Sequence, residues 1–181
     1  YLIDKNRKKF VDWPAAVRNH HNFISGLMYH TLNMADVANK VCEIYPSLNR
    51  DILIGGILIH DIGKIEELSG PVATSFTVEG KLIGHISIAQ AEVREASKAL
   101  AIDSEIAAIM EHMVLSHHGK QEFGSPVTPL LREALVCSMI DDLDAKMGIL
   151  DKALENVVPG ESTSKLFNMD DRYFYKPKFD K

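Results

Sequence analysis

The apolar run ILIGGILI, Ile52 to Ile59, leads without a break into the ionisable pair His60 and Asp61, followed by Ile62, Gly63 and Lys64. A segment this apolar belongs in a core, and it draws the pair in with it. Burying even a neutral polar group without a partner costs about 2–7 kcal/mol, and a charge costs more. The chain must therefore fold so that something compensates an imidazole and a carboxylate side by side. A bound cation would do so. The run is also far shorter than the ~20 residues that a membrane-spanning helix needs, and no membrane association is expected.

The chain has 181 residues, enough for one domain with a substantial core. Its 46% apolar and 25% charged residues are the balance of a folded globular protein. A net charge of −5 gives no general attraction for phosphate backbones, so a nucleic-acid substrate must be held by a local patch, a bound cation or another domain. Cys42 and Cys137 lie far apart in helical-looking apolar contexts, where free thiols behave as small hydrophobes. With no signal peptide visible, a reducing cytoplasm is the expected compartment. The chain begins at Tyr1 rather than Met, which suits a fragment of a longer protein.

Hydrophobic periodicity predicts a helix from Asn22 to Tyr45, stopped before Pro46. Ser47 or Asn49 can cap a second helix through Ile59, which delivers His60 and Asp61 at its C-terminal end with Gly63 suited to terminate it. Glycines and Pro71 flank the β-favouring TSFTV, so residues 72–83 are expected to hold at most a short β-hairpin. A helix from His85 to Leu100 follows, then another from Asp103 or Ser104 that ends at Gly119 just after His117 and His118. Thr128 and Pro129 predict the cap and first position of a last helix, continuing to about Val158 with Asp141 near its middle. The fold class is therefore all-α, a helical bundle. Expected divisions are an N-terminal segment 1–19, a domain 20–160 and an aromatic, basic tail 161–181.

His30, His60, Asp61, His85, His117, His118 and Asp141 are the candidates for one site. Read singly, a histidine such as His30 or His85 is an ordinary capping or core residue; the order H, HD, H, HH, D is what sets the group apart. Nitrogen and oxygen donors without sulfur suit Mn, Fe, Co, Ni or Zn better than Cu(I) or an iron–sulfur cluster. Five histidines and two aspartates exceed the needs of one tetrahedral ion. Asp61 could bridge two, and ions about 3.5–4 Å apart can clamp both oxygens of an in-line phosphoryl displacement.

HTLNMA at His30, ILIHDIGK, GHIS at Gly84, LSHHGK at Leu115 and MIDDLDAKM at Met139 resemble the HD superfamily of metal-dependent phosphohydrolases. More closely, YPSLNRDILIGGILIHDIGKIEELSGPVAT, KLIGHIS, LSHHGK, GSPV and FYKPKF resemble the HD domain of YhaM-type 3′-to-5′ exoribonucleases, over about His20 to Phe179. The resemblance implies an HD fold, divalent metal (Mn or Co ahead of Fe, Ni, Mg or Zn, with two ions) and stepwise removal of nucleotides from a single-stranded RNA 3′ end, with DNA left open. It also implies an OB-type nucleic-acid-binding domain ahead of this one, for which residues 1–19 could be the linker. A homo-oligomer stays open.

Carried over by position, His30, His60, Asp61 and Asp141 match the superfamily's first metal site, and His85 with one or both of His117 and His118 would complete a second. Ser25 and Tyr29 stand where the resemblance expects glycine and an acid, which weakens the case for an acidic ligand there. Asp61 and Lys64 are the expected catalytic groups, Lys64 by stabilising charge on a phosphate oxygen and a metal-activated water serving as nucleophile. The bland alternative for Lys64 is a solvated side chain past a helix end.

Lys64, Asp144 and His21 are the expected substrate-binding residues. Asp144 shares the helical face of Asp141 and could instead orient a ligand; Asp142 should be solvated. His20 and His21 have a plain surface position as their competing reading. His112 lies about 140° around a helix from His117 and should not share its ion. Tyr173, Phe174, Tyr175 and Phe179 among Arg172, Lys176 and Lys178 suit base stacking, or packing back on the bundle. Lys5, Arg7, Lys8 and Lys9, with Phe10 and Trp13, admit the same pair of readings. Competing functions are hydrolysis of a nucleotide or cyclic dinucleotide, a di-iron HD-fold oxygenase, and a binding module with a structural metal.

Overall fold

The computed structural model describes residues 1–17 and 21–179; His20 lies outside them. The helices are α1 (Leu2–Lys5), α2 (Arg7–Asp12), α3 (Gly26–Ile44), α4 (Arg50–Ile59), α5 (Lys64–Glu67), α6 (Val78–Leu82), α7 (His85–Ala99), α8 (Ser104–Ser116) and α9 (Arg132–Leu154). Among the described residues there is no strand, only isolated bridges. The all-α reading holds.

Helix α4 starts where Asn49 caps it, its side-chain oxygen accepting from the N–H groups of Asp51 and Ile52 at 3.1 and 3.2 Å. Asp103 caps α8 in the same way, at 2.9 Å from the Glu105 nitrogen. Both helices end at a histidine. His60 Nδ1 donates to the Ile57 carbonyl and His117 Nδ1 to the Val114 carbonyl, each at 2.7 Å. In this way the imidazoles satisfy carbonyls that a helix end leaves without a donor. Gly119 then turns the chain at φ 76.

Two apolar clusters meet at these ends. Met34, Ala38, Leu53, Ile57, Met113, Ala134, Cys137 and Ile140 form one, from α3, α4, α8 and α9. Leu27, Ile62, Ile65, Ala89, Val93, Ala96 and Val114 form the other, together with Leu2 and Phe10. His60 and Asp61 lie in the chain between Ile57 of the first cluster and Ile62 of the second. Residues 2–12 are thus folded onto the domain. Lys9 also pairs with Glu66 at 2.6 Å.

Several boundaries differ from expectation. Helix α3 begins at Gly26 rather than Asn22, because His21 and Ser25 have φ of 53 and 68 and a side chain on Gly26 would overlap the His21 carbonyl. Gly63 does not terminate α4: its φ of −63 is right-handed. Its purpose is space, since a Cβ there would overlap the carbonyl oxygen of His85. Residues 72–83, where at most a short hairpin was expected, hold only Phe76 of one bridge, Leu68 to Phe76, and then α6, whose cap Thr77 accepts from the Gly80 nitrogen at 2.8 Å. Helix α9 begins at Arg132 rather than after Thr128, and stops at Leu154. The intervening chain is held extended, with the Leu130 N–H donating to His112 Nε2 at 3.0 Å.

The tail folds on itself through bridges Ser162 to Tyr175 and Leu166 to Arg172, and reaches α9 where Lys176 Nζ donates to the Leu154 carbonyl at 2.8 Å. Tyr173, Tyr175 and Phe179 stay exposed.

Gly63→Ala should destabilise the fold by about 1–3 kcal/mol, the usual cost of overpacking against backbone. Gly55→Ala meets only the flexible end of Met110, at 3.2 Å, and gains helix propensity. Its stability should change by less than about 1 kcal/mol. Urea denaturation of the two variants beside the wild type checks the difference.

Candidate metal centre

Asp61 is 3% exposed at the bend after α4, and its two carboxylate oxygens face different neighbours. Oδ2 lies 3.4 Å from His60 Nε2, 3.9 Å from His30 Nε2 and 2.7 Å from Lys64 Nζ. Oδ1 lies 3.5 Å from His85 Nε2 and 3.6 Å from His117 Nε2. His30 Nε2 is 3.3 Å from His60 Nε2 and 3.2 Å from Asp141 Oδ1. His118 joins His85 and His117 in a group whose ligand atoms lie within 4.8 Å of one another, and His30, His60 and Asp61 form another.

The histidines share one arrangement. His60 and His117 spend Nδ1 on helix-end carbonyls, as above. His118 Nδ1 donates to the Phe123 carbonyl at 2.7 Å, His85 Nδ1 pairs with Glu67 Oε1 at 3.0 Å, and His30 Nδ1 with Asp144 Oδ2 at 2.6 Å. A carbonyl can only accept, so Nδ1 carries the hydrogen there and Nε2 of a neutral ring keeps a lone pair. Fixing the outer nitrogen so that the inner one can ligate is how metal-binding imidazoles are oriented.

Asp61 Oδ1, His85 Nε2 and His117 Nε2 are buried and without a hydrogen-bond partner. Three such atoms converging on one space would each cost about 1–3 kcal/mol if left unsatisfied. A cation satisfies them together, and the donor set of imidazole nitrogens and carboxylate oxygens fits a divalent transition metal.

The electrostatics agree. Burial opposes ionisation of Asp61, yet Lys64, His60 and His117 hold its carboxyl well below the usual range. Burial also works against protonated His30, but Asp141 and Asp144 outweigh it and hold its pKa up, at about 9. Burial pushes His117 down, and it pushes His118 down with the help of the neighbouring His117 charge. Lys64 keeps its charge because Asp61 outweighs the cost of burying it. A proton on His30 and a cation among these donors answer the same need for positive charge. The C-terminal ends of α4 and α8, where backbone carbonyls concentrate partial negative charge, point the same way.

The structure thus brings together His30, His60, Asp61, His85, His117, His118, Asp141 and Lys64. Asp144 stands one step back, against His30. His21, expected at the surface or on substrate, is buried instead, its Nε2 2.7 Å from the same Asp144 oxygen, with Asn33 Nδ2 donating to the other at 3.0 Å. Asp142 is exposed and paired with Lys146 at 2.6 Å. His112 is elsewhere, accepting from Leu130. Glu67 was not singled out by sequence; the signal that could have found it is its place three residues beyond Lys64, on one helical face.

A profile of the HD domain family matches residues 27–146, a span holding all the converging donors. The chain belongs to the HD domain family. The 3'-5' exoribonucleases YhaM of Bacillus licheniformis and Bacillus subtilis are each 52% identical to it over 181 residues, which is 100% of this chain and 58% of theirs. That of Bacillus pumilus is 53% identical over 179 residues, 99% of this chain and 57% of its own. The chain therefore spans less than two thirds of the length of these curated relatives. No solved structure matches it significantly. Among the described residues no helix is long and apolar enough to cross a membrane.

Mn²⁺ or Co²⁺ added to chelator-treated protein should raise its stability by about 2.7 kcal/mol at a hundredfold excess over Kd, seen as a shift in thermal midpoint. Asp61→Asn should abolish most of the shift. Asp144→Asn should weaken metal binding by about 10- to 100-fold while leaving the fold intact, because it loosens the His30 ring without removing a ligand. Calorimetric titration of both variants measures this.

Proposed function

We propose that this chain is the catalytic domain of a 3′-to-5′ exoribonuclease, hydrolysing phosphodiester bonds at the end of single-stranded RNA, and of DNA with the same geometry. The observation that carries the reading is the Asp61 carboxylate turned toward two sets of imidazoles, beside the Lys64 ammonium, in a chain about half identical to proteins of that named activity. His30, His60, Asp61 and Asp141 would hold one ion; Asp61, His85, His117 and His118 would hold a second. Mn²⁺ or Co²⁺ suits both sets. When bound, such ions supply Lewis acidity that lowers the pKa of water toward neutrality and offsets phosphate charge.

The remaining work falls to the chain itself. Lys64 is fixed by Asp61 at 2.7 Å and lines the cleft that opens onto His85 and His118, where it can meet a phosphate oxygen as charge builds on it. Asp144 and Glu67 hold the rings of His30 and His85 in register. In the reaction a water oxygen bonds to phosphorus while a bond from phosphorus to a ribose oxygen breaks, and the departing oxygen takes up a proton. The two cysteines, both free, suit a cytoplasmic protein.

A 5′-labelled oligoribonucleotide with Mn²⁺ should give products shortened one nucleotide at a time from the 3′ end. Lys64→Ala should lower kcat by about 10²–10³-fold, the effect of losing one group that stabilises transition-state charge. Endonucleolytic products, or turnover of mononucleotides and cyclic dinucleotides alone, would sink the reading. Bound iron with O₂ consumption and no ester hydrolysis would replace it with the oxygenase.

A further inference from the structure

A cleft of about 920 Å³ begins at the candidate metal centre, where Lys64, His85 and His118 line it, and runs out along Leu68, Thr74, Ser75, Phe76 and Lys81. Its outer wall is built rather than loose. The Ser69 N–H donates to the Ser75 carbonyl at 2.9 Å, and the Ser75 N–H returns to Ser69 Oγ at 3.1 Å. Thr74 Oγ1 donates to the Gly70 carbonyl and Thr77 Oγ1 to that of Glu66, each at 2.8 Å. Gly80 lets α6 sit so close to α5 that a side chain there would overlap the Glu67 carbonyl oxygen. Phe76 and Lys81 are thereby held at fixed positions beside the metal ligands.

Phe76 is nevertheless 46% exposed. A large aromatic ring kept open on a rigid wall has not been placed there to fill a core. Val72, Val78 and Leu82 are also exposed, but they do not line the cleft and Phe76 does. Glu67, the acidic residue in the lining, is already occupied by His85 and Lys64 is paired with Asp61 at 2.7 Å, so the charge that remains for a ligand is mainly that of Lys81. An open aromatic face followed by a lysine, leading to a site that draws in cations, matches a base followed by its phosphate.

We propose that Phe76 and Lys81 form a nucleotide subsite next to the scissile phosphate, with a base stacked on the Phe76 ring and a flanking phosphate against Lys81. The inference rests on the exoribonuclease reading and specifies which part of the chain grips the strand. Stacking is tolerant of sequence, because every base offers a π-face, so the subsite would engage each successive 3′ end as the strand shortens.

The test measures KM and kcat on a single-stranded oligoribonucleotide with Mn²⁺ at several salt concentrations. Phe76→Ala and Phe76→Leu should raise KM about 5- to 100-fold, the range for one lost stacking contact, with Phe76→Tyr close to wild type. Lys81→Met should raise KM and flatten its logarithmic salt dependence by about 0.7, the share of one phosphate contact on a single strand. Misfolding or a merely structural role would not give that slope change. Wild-type protein that degrades the oligonucleotide while Phe76→Leu and Lys81→Met keep its KM and slope would overturn the subsite alone. Wild-type protein that degrades no oligonucleotide would overturn both the subsite and the activity it serves.

Discussion

The fold depends on where one carboxylate sits. Asp61 is drawn into the interior by the apolar residues on either side of it, Ile57 in one cluster and Ile62 in the other, and it cannot stay there as an isolated charge. Helices α3, α4, α7 and α8 therefore bring imidazoles to it, and Lys64 closes the remaining side. Yet donors gathered this tightly repel one another through their lone pairs. The arrangement makes sense as a frame for positive charge, and the packing around it is close enough that no side chain fits at Gly63.

That frame is held from outside. Each imidazole has its outer nitrogen tied down, two of them by the carbonyls of the helix they end, one by the Phe123 carbonyl at the end of a short 3-10 turn and two by carboxylates. A capping interaction needed for helix termination thus also sets the tautomer and aim of a ligand. Structure and chemistry share the same hydrogen bonds, so loosening α4 or α8 would also misdirect the site. The carboxylate-held pair, His30 and His85, can be altered separately through Asp144 and Glu67, with the helix ends left alone.

Much of this was legible in the order of residues. His60 and Asp61 stood out because they interrupt an apolar run, and His117 and His118 because they precede a glycine that ends a helix. Asp141 carries no such local mark: a carboxylate in the middle of a long helix stood out only through the order of the whole group and through the resemblance. His21 and Glu67 were misjudged or passed over because their partners, Asp144 and His85, lie 123 and 18 residues away. The start of α9 misled for a similar reason. Thr128 and Pro129 carry a local helix signal, but a tertiary hydrogen bond from Leu130 to His112 keeps that chain extended and wins. Local pattern located the groups that end helices, and tertiary approach decided which outlying groups support them.

A chain of net charge −5 looks ill-suited to phosphate. At physiological ionic strength, however, exposed charges farther than about 8 Å are largely screened, so a bound phosphate responds to what lies within the cleft rather than to the sum over the surface. In the cleft and at the centre it leads to, the carboxylates are already committed: Glu67 to His85, Asp61 to Lys64 and the imidazoles, and Asp141 to His30. Their charge draws cations into the centre instead of repelling a substrate from it. The acidity of the interior and the capacity to meet an anion are then two consequences of one design, with positive charge held between protein and phosphate.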